Sequence, residues 1–212
     1  MARSKTILQS EYPYNINSKC INDEWFNLPM DMVWEVFSEE LYLANKIYDL
    51  KIHSFVLMSN HFHLIATTPQ SNIDQCMNRF MTQTSTRIRE LGNRKHWTFA
   101  GRYFKTILNE PSYFLNAYKY NYFNPVKAKI CKNVEDYKYS TLHGLLGLEK
   151  LIVPLEEDTV LFDSPKETLD WLNNPVSEEK LEAVNFGLKR SYFKSKKCRK
   201  TNKLILDKGE II

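Results

Sequence analysis

The order of hydrophobic patterns along this chain predicts an α+β fold with an antiparallel sheet. Strand-like and helix-like segments follow one another as strand, helix, strand, strand, helix, strand, then one further helix. Two of the helices carry apolar stripes at helical spacing. The two central strand-like segments are separated only by Ser59-Asn60, which suits a hairpin. This order is the ferredoxin-like split β-α-β pattern, with helices packed on one face of the sheet.

Each element has its own warrant. Tyr12 to Asn17 alternates apolar and polar residues and reads as a first strand. After Pro29, the positions Met30, Val33, Trp34, Phe37, Leu41, Ala44 and Tyr48 keep helical spacing. Pro29 suits the first helical position. Ile52 to Met58 and His61 to Thr67 read as the hairpin strands. Ser71 is placed to cap a second helix, with Asp74 three residues on. Its stripe is Ile73, Cys76, Met77, Phe80, Ile88 and Leu91, and Gly92-Asn93 ends it. Tyr103 to Leu108 reads as a fourth strand. Pro111 opens a third helix that runs to the Asn124-Pro125 boundary. Ser164 to Leu172 and Ser177 to Leu188 suit short helices further on.

Composition bounds the function. The chain has 212 residues, 43% hydrophobic and 25% charged, which is the balance of a globular domain. No apolar run reaches the ~18 residues of a membrane span. The first residues are polar, without the apolar core of a secretory signal. Cys20, Cys76, Cys131 and Cys198 are widely spaced, which speaks against a zinc ribbon or disulfide framework and fits a reducing cytoplasm. No phosphate-cradling glycine loop is present, so no nucleotide cofactor is expected. The net charge is +4. Nine acids and two lysines lie between Leu155 and Glu182, whereas eight Lys or Arg and no acid lie between Lys189 and Lys203. That basic run can lie along phosphates or serve as a solubilising tail.

Three groups of residues carry chemistry. His61 and His63 sit two apart in a strand and so share a face, where two imidazoles can ligate one divalent ion. Phe62 then points into the core. The alternative is a pair of satisfied or solvent-facing histidines. Tyr118, Tyr120 and Tyr122 lie on the third helix. Tyr120 shares a helix face with Asn124 and with Asn116. A tyrosine oxygen is a competent nucleophile toward a polarised phosphate; core packing is the alternative. Arg102, Lys105, Lys119 and Lys127 add positive charge suited to a phosphate backbone, or merely solvated surface charge.

Together these segments resemble the HUH single-tyrosine transposases, in particular the branch associated with repetitive extragenic palindromes within the IS200-like family. The resemblance rests on Leu57-Met58-Ser59-Asn60-His61-Phe62-His63-Leu64, on Gly101-Arg102-Tyr103-Phe104, on Tyr120 through Lys129 with its Asn124-Pro125-Val126 core, and on Glu135-Asp136-Tyr137-Lys138-Tyr139-Ser140. It implies a catalytic domain over residues 10–147 and a helical, basic extension over residues 148–212. It implies Mg²⁺ or Mn²⁺ on His61 and His63, with Asn124 completing the site and Tyr120 as the nucleophile. The implied partner is single-stranded DNA carrying a hairpin, gripped by Arg102, Lys105, Lys119, Lys127, Lys189 and Arg190. The implied setting is a prokaryotic cytoplasm, near the nucleoid, with the protein a monomer or homodimer. Three departures stand out. Lys129 replaces a usual Gly, Lys127 replaces Arg, and Tyr14-Asn15-Ile16-Asn17-Ser18-Lys19 lacks the usual His and Arg of "Tyr-His-Val-x-x-Arg".

Two other classes remain open at this stage. A catalytically silent nucleic-acid-binding protein of this fold needs aromatics and basic residues but no specific tyrosine. A metal-dependent nuclease would add His53, His96 or His143 to the histidine pair and leave no protein–DNA adduct.

Overall fold

The computed structural model describes residues 7–156, 161–199, 201–207 and 209–212. The N-terminal residues read for a signal, and Lys200 of the basic run, lie outside them. The elements follow the expected order. β1 is Tyr14–Lys19, α1 Met30–Tyr48, β2 Lys51–Leu57, β3 His61–Thr67, α2 Ile73–Leu91, β4 Phe104–Ile107 and α3 Pro111–Lys127. Then come α4 Thr141–Leu145, α5 Pro165–Asn173 and α6 Glu178–Gly187. Among the described residues the strands form one antiparallel sheet in the order β2-β3-β1-β4.

β2, β4, α5 and α6 differ from the sequence reading by one residue at each end, Pro29 caps α1 rather than opening it, and three further differences have a visible cause. β1 begins at Tyr14 rather than Tyr12, because Gln9 Oε1 accepts from the amides of Glu11 and Tyr12 and holds a turn there. Ser71 does not cap α2. It has φ +54, and Asn72 takes the cap position while its amide donates to the Tyr48 carbonyl at 3.2 Å. α3 runs through Pro125 to Lys127. A proline inside a helix loses one backbone bond and crowds the preceding turn; packing around α3 compensates.

The expected single helical face is also corrected. α1 and α2 pack on one face, over Tyr14, Ile16, Phe55, Phe62, Leu64 and Ala66. α3 and α4 cover the other, where Val56 and Ile65 join Tyr118, Tyr122 and Leu142. α5 and α6 pack on α3, and their Leu172, Leu181 and Val184 enter the same second core. Strand alternation sorts the residues. Asn15, Asn17, His61, His63 and Thr106 face α3, while their neighbours face α1 and α2.

The region after residue 147 is woven into this body. Glu156 N donates to Ile52 O at 2.8 Å, along β2. Ile107 N donates to Ser191 O and Phe193 N to Ile107 O, along β4. Ile212 N donates to Asn116 Oδ1 on α3 at 2.8 Å, and Trp171 Nε1 donates to Ile212 O.

Candidate functional site

The site forms where β1 and β3 meet α3. His61 and His63 share the α3 face, with ring centroids 5.1 Å apart, and Phe62 points into the opposite core. The Ser59-Asn60 turn fixes the first histidine. Met58 N donates to His61 O, and His61 Nδ1 bonds Asn60 Oδ1 at 2.7 Å. An amide oxygen can only accept, so Nδ1 holds the proton and Nε2 is left as the acceptor. His63 is buried, and neither ring nitrogen has a partner. Burial, and then the neighbouring His61, push its pKa down to about 3. Burial also lowers that of His61.

Tyr120 reaches this pair from α3. Its ring lies 6.2 Å from that of His63, edge to face. Burial raises its pKa, so the phenol is protonated at neutral pH. Tyr118 and Tyr122 point elsewhere on the same helix. Both are buried, and the Tyr122 hydroxyl bonds Thr141 Oγ1 at 2.8 Å. Asn124 Nδ2 donates back to the Tyr120 carbonyl at 2.8 Å, one turn up the helix.

The six basic residues divide. Lys127 Nζ sits 5.6 Å from the Tyr120 ring centroid, at the site. Lys189, beyond α6, lines a cavity of 110 Å³ together with Asn15, Asn17, His63 and Tyr120. Arg190 is exposed and stacks on Phe186. Arg102 and Lys105 are drawn to Asp74 on α2, at 2.6 and 3.0 Å. Lys105 pairs in register with Ile16, so it lies on the sheet face away from the histidines. Lys119 departs furthest from expectation. It is fully buried, its Nζ donates to the Trp171 carbonyl at 2.7 Å, and burial lowers its pKa to about 8. Helices α5 and α6 cover a surface that the sequence left open, so Lys119 faces protein and not solvent.

Among the described residues, no group of three or more His, Cys, Asp or Glu is placed to hold a metal. His53 bonds Thr67 Oγ1, and His143 bonds the Glu135 carbonyl, so neither joins the pair. The reading of single residues missed Asn60, Asn15 and Asn17, and Asn185 of α6, which also lines the small cavity. Asn60 alone had a signal, standing directly before the histidine pair.

An antiparallel four-stranded sheet in this order, with a His-x-His pair facing a tyrosine on α3, defines an α+β protein of the ferredoxin-like type. The chain belongs to the IS200-like transposase family, whose model matches residues 26–133, just over half its length. A solved structure of a REP-associated tyrosine transposase bound to a REP hairpin matches in fold, with a TM-score of 0.59 over 74% of this chain and 93% of that chain, at 17% identity. Among curated proteins, none matches the chain. No helix among the described residues is long and apolar enough to cross a membrane.

Proposed function

We propose that this protein cleaves and rejoins hairpin-bearing single-stranded DNA through a covalent link to Tyr120. The observation that carries this reading is the placement of Tyr120 against His63 on one sheet face within one chain. In the proposed reaction the Tyr120 oxygen bonds to phosphorus and the phenol gives its proton to water. The P–O3′ bond breaks, the 3′-oxygen leaves as a hydroxyl, and a 5′-phosphotyrosine forms. Attack on that link by a DNA 3′-hydroxyl reverses the chemistry and reseals a strand. No nucleotide is consumed, because the covalent link conserves the bond energy.

The donors fit a divalent cation such as Mg²⁺ or Mn²⁺. His63 offers two unpartnered buried nitrogens, and the His61 tautomer leaves Nε2 free. His61 and His63 would hold the ion with Asn124 as a further ligand. When bound, it would polarise the phosphate as a Lewis acid. His61 is aimed by Asn60, and Tyr120 is held by the packing of α3. Lys127 and Lys189 supply positive charge for the phosphates on either side of the cut. In this reading residues 10–147 carry the reacting groups, and residues 148–212 add DNA grip through Lys189 and Arg190.

Covalent trapping tests the proposal. The protein is mixed with end-labelled hairpin-bearing single-stranded DNA and Mg²⁺ or Mn²⁺, then run on a denaturing gel. A shifted band is expected from wild type and from Tyr118→Phe. It is expected to vanish with Tyr120→Phe, with His61→Ala and with EDTA. Cleavage without a shifted band would mark a nuclease. Binding without cleavage or adduct would mark a silent binding module.

A further inference from the structure

Asn15 and Asn121 form a polar pair between the sheet and α3. Both are fully buried, one on β1 and the other on α3 beside Tyr120. Asn121 Nδ2 donates to Asn15 Oδ1 at 2.8 Å. This bond ties the strand to the helix that carries Tyr120. It also uses the oxygen of Asn15 and leaves one group over on each side chain: Asn15 Nδ2 and Asn121 Oδ1 are both buried without a partner, with no second bond between them. Asn15 also lines the 110 Å³ cavity shared by His63, Tyr120 and Lys189.

A buried donor without an acceptor carries a desolvation cost, and a polar group kept in that state calls for an explanation. An N–H group does not ligate a cation, so it is unsuited to the ion that the histidines would hold. It needs an acceptor oxygen that arrives with the substrate. The cavity has room for about three or four waters' volume, the scale of one phosphate group. Resting on the reading given above, attack by Tyr120 brings phosphorus to bonding distance of its oxygen, so the non-bridging phosphate oxygens enter this cavity. We propose that Asn15 Nδ2 donates a hydrogen bond to a non-bridging oxygen of the scissile phosphate, with Asn121 holding the amide in that orientation. Such a bond to an anion is stronger than a neutral one, and it strengthens as charge builds on the phosphate during attack. Asn15 is thus a substrate-contacting residue, and Asn121 is a positioning residue.

The test compares adduct formation, hairpin affinity and thermal midpoint. In the double variant Asn15→Leu/Asn121→Leu, apolar groups of similar shape replace the pair. Its midpoint is expected to hold or rise, its hairpin affinity to stay within about threefold, and its adduct rate to fall about 10²-fold. Asn15→His keeps a ring N–H donor and is expected within about tenfold of wild type. Asn15→Asp removes the amide donor and adds negative charge beside the phosphate, so its adduct rate is expected to fall below that of the double variant. Wild-type adduct rates in the folded double variant would overturn the assignment. Absence of any adduct from wild type would instead overturn the proposed reaction, and this assignment with it.

Discussion

On the α1/α2 face of the sheet, the Phe37 ring lies within 6.3 Å of those of Phe26, Phe55, Phe62, Phe80 and Phe99. These rings meet mostly edge to face, the arrangement that aromatic quadrupoles favour. On the α3 face, one residue away along the same strands, stand His63 and Asn15, with Asn121 of α3 against them, each buried with at least one polar atom unpaired. One face is dominated by aromatic contacts, with the Ser38 and Thr84 hydroxyls of α1 and α2 left over, and the other holds a histidine and two amides in reserve. The alternation of a strand lets a single backbone serve both. Stability and chemistry are therefore separable here by a step of one residue, from Phe62 to His63.

The largest effect should come from the reserved face. Tyr120→Phe is expected to reduce adduct formation by about 10³-fold or more, with an unchanged denaturation midpoint; retention of adduct would assign the nucleophile elsewhere. Phe37→Ala should do the reverse. It is expected to cost about 3–5 kcal/mol in chemical denaturation, while adduct formed per folded molecule stays near wild type. If adduct per folded molecule fell in parallel with stability, the two faces would not be separable.

Acid sharpens the comparison. His63 has an ordinary value of 6.5, and burial pushes it to about 3 in the fold. Below pH 6.5 the unfolded chain takes up a proton that the folded chain refuses. Stability from this group is therefore present above pH 6.5, declines as pH falls, and levels off below about 3. The urea midpoint of wild type should fall relative to that of His63→Leu as pH is lowered from 6.5 toward 3. Parallel curves would show that His63 is not held neutral.

The smallest effect lies at the end of α3. Lys129 has φ +59, a left-handed conformation that a side chain disfavours, and its amide donates to the Val126 carbonyl. Lys129→Gly is expected to add about 1 kcal/mol and to raise the thermal midpoint by about 2–4 °C. No gain would show that the lysine side chain offsets the strain.

Much of this was legible from local pattern. The stripe from Met30 to Tyr48 and the His61–Thr67 strand depend on neighbours three, four or two residues away, and both emerged at nearly the expected bounds. The four-stranded antiparallel order followed from the sequence of elements. The long-range partners were not legible. Asp74 reads as a capping acid, yet it gathers Arg102, Tyr103 and Lys105 from the β4 approach. Lys119 reads as surface charge because nothing nearby in sequence shows that α5 will present the Trp171 carbonyl to it. The second helical layer was hidden for the same reason: α3 mixes tyrosines with asparagines and lysine, and it is buried on several sides.

The edges of the sheet bear on assembly. β2 and β4 are its outer strands. Glu156 occupies the Ile52 carbonyl, Tyr139 accepts from the Leu57 amide, and the strand partners of Ile107 are Ser191 and Phe193. An outer strand with open N–H and C=O groups is a template for pairing with another chain. At these positions the protein has already filled its own template. A second copy has no open ladder to extend at those positions.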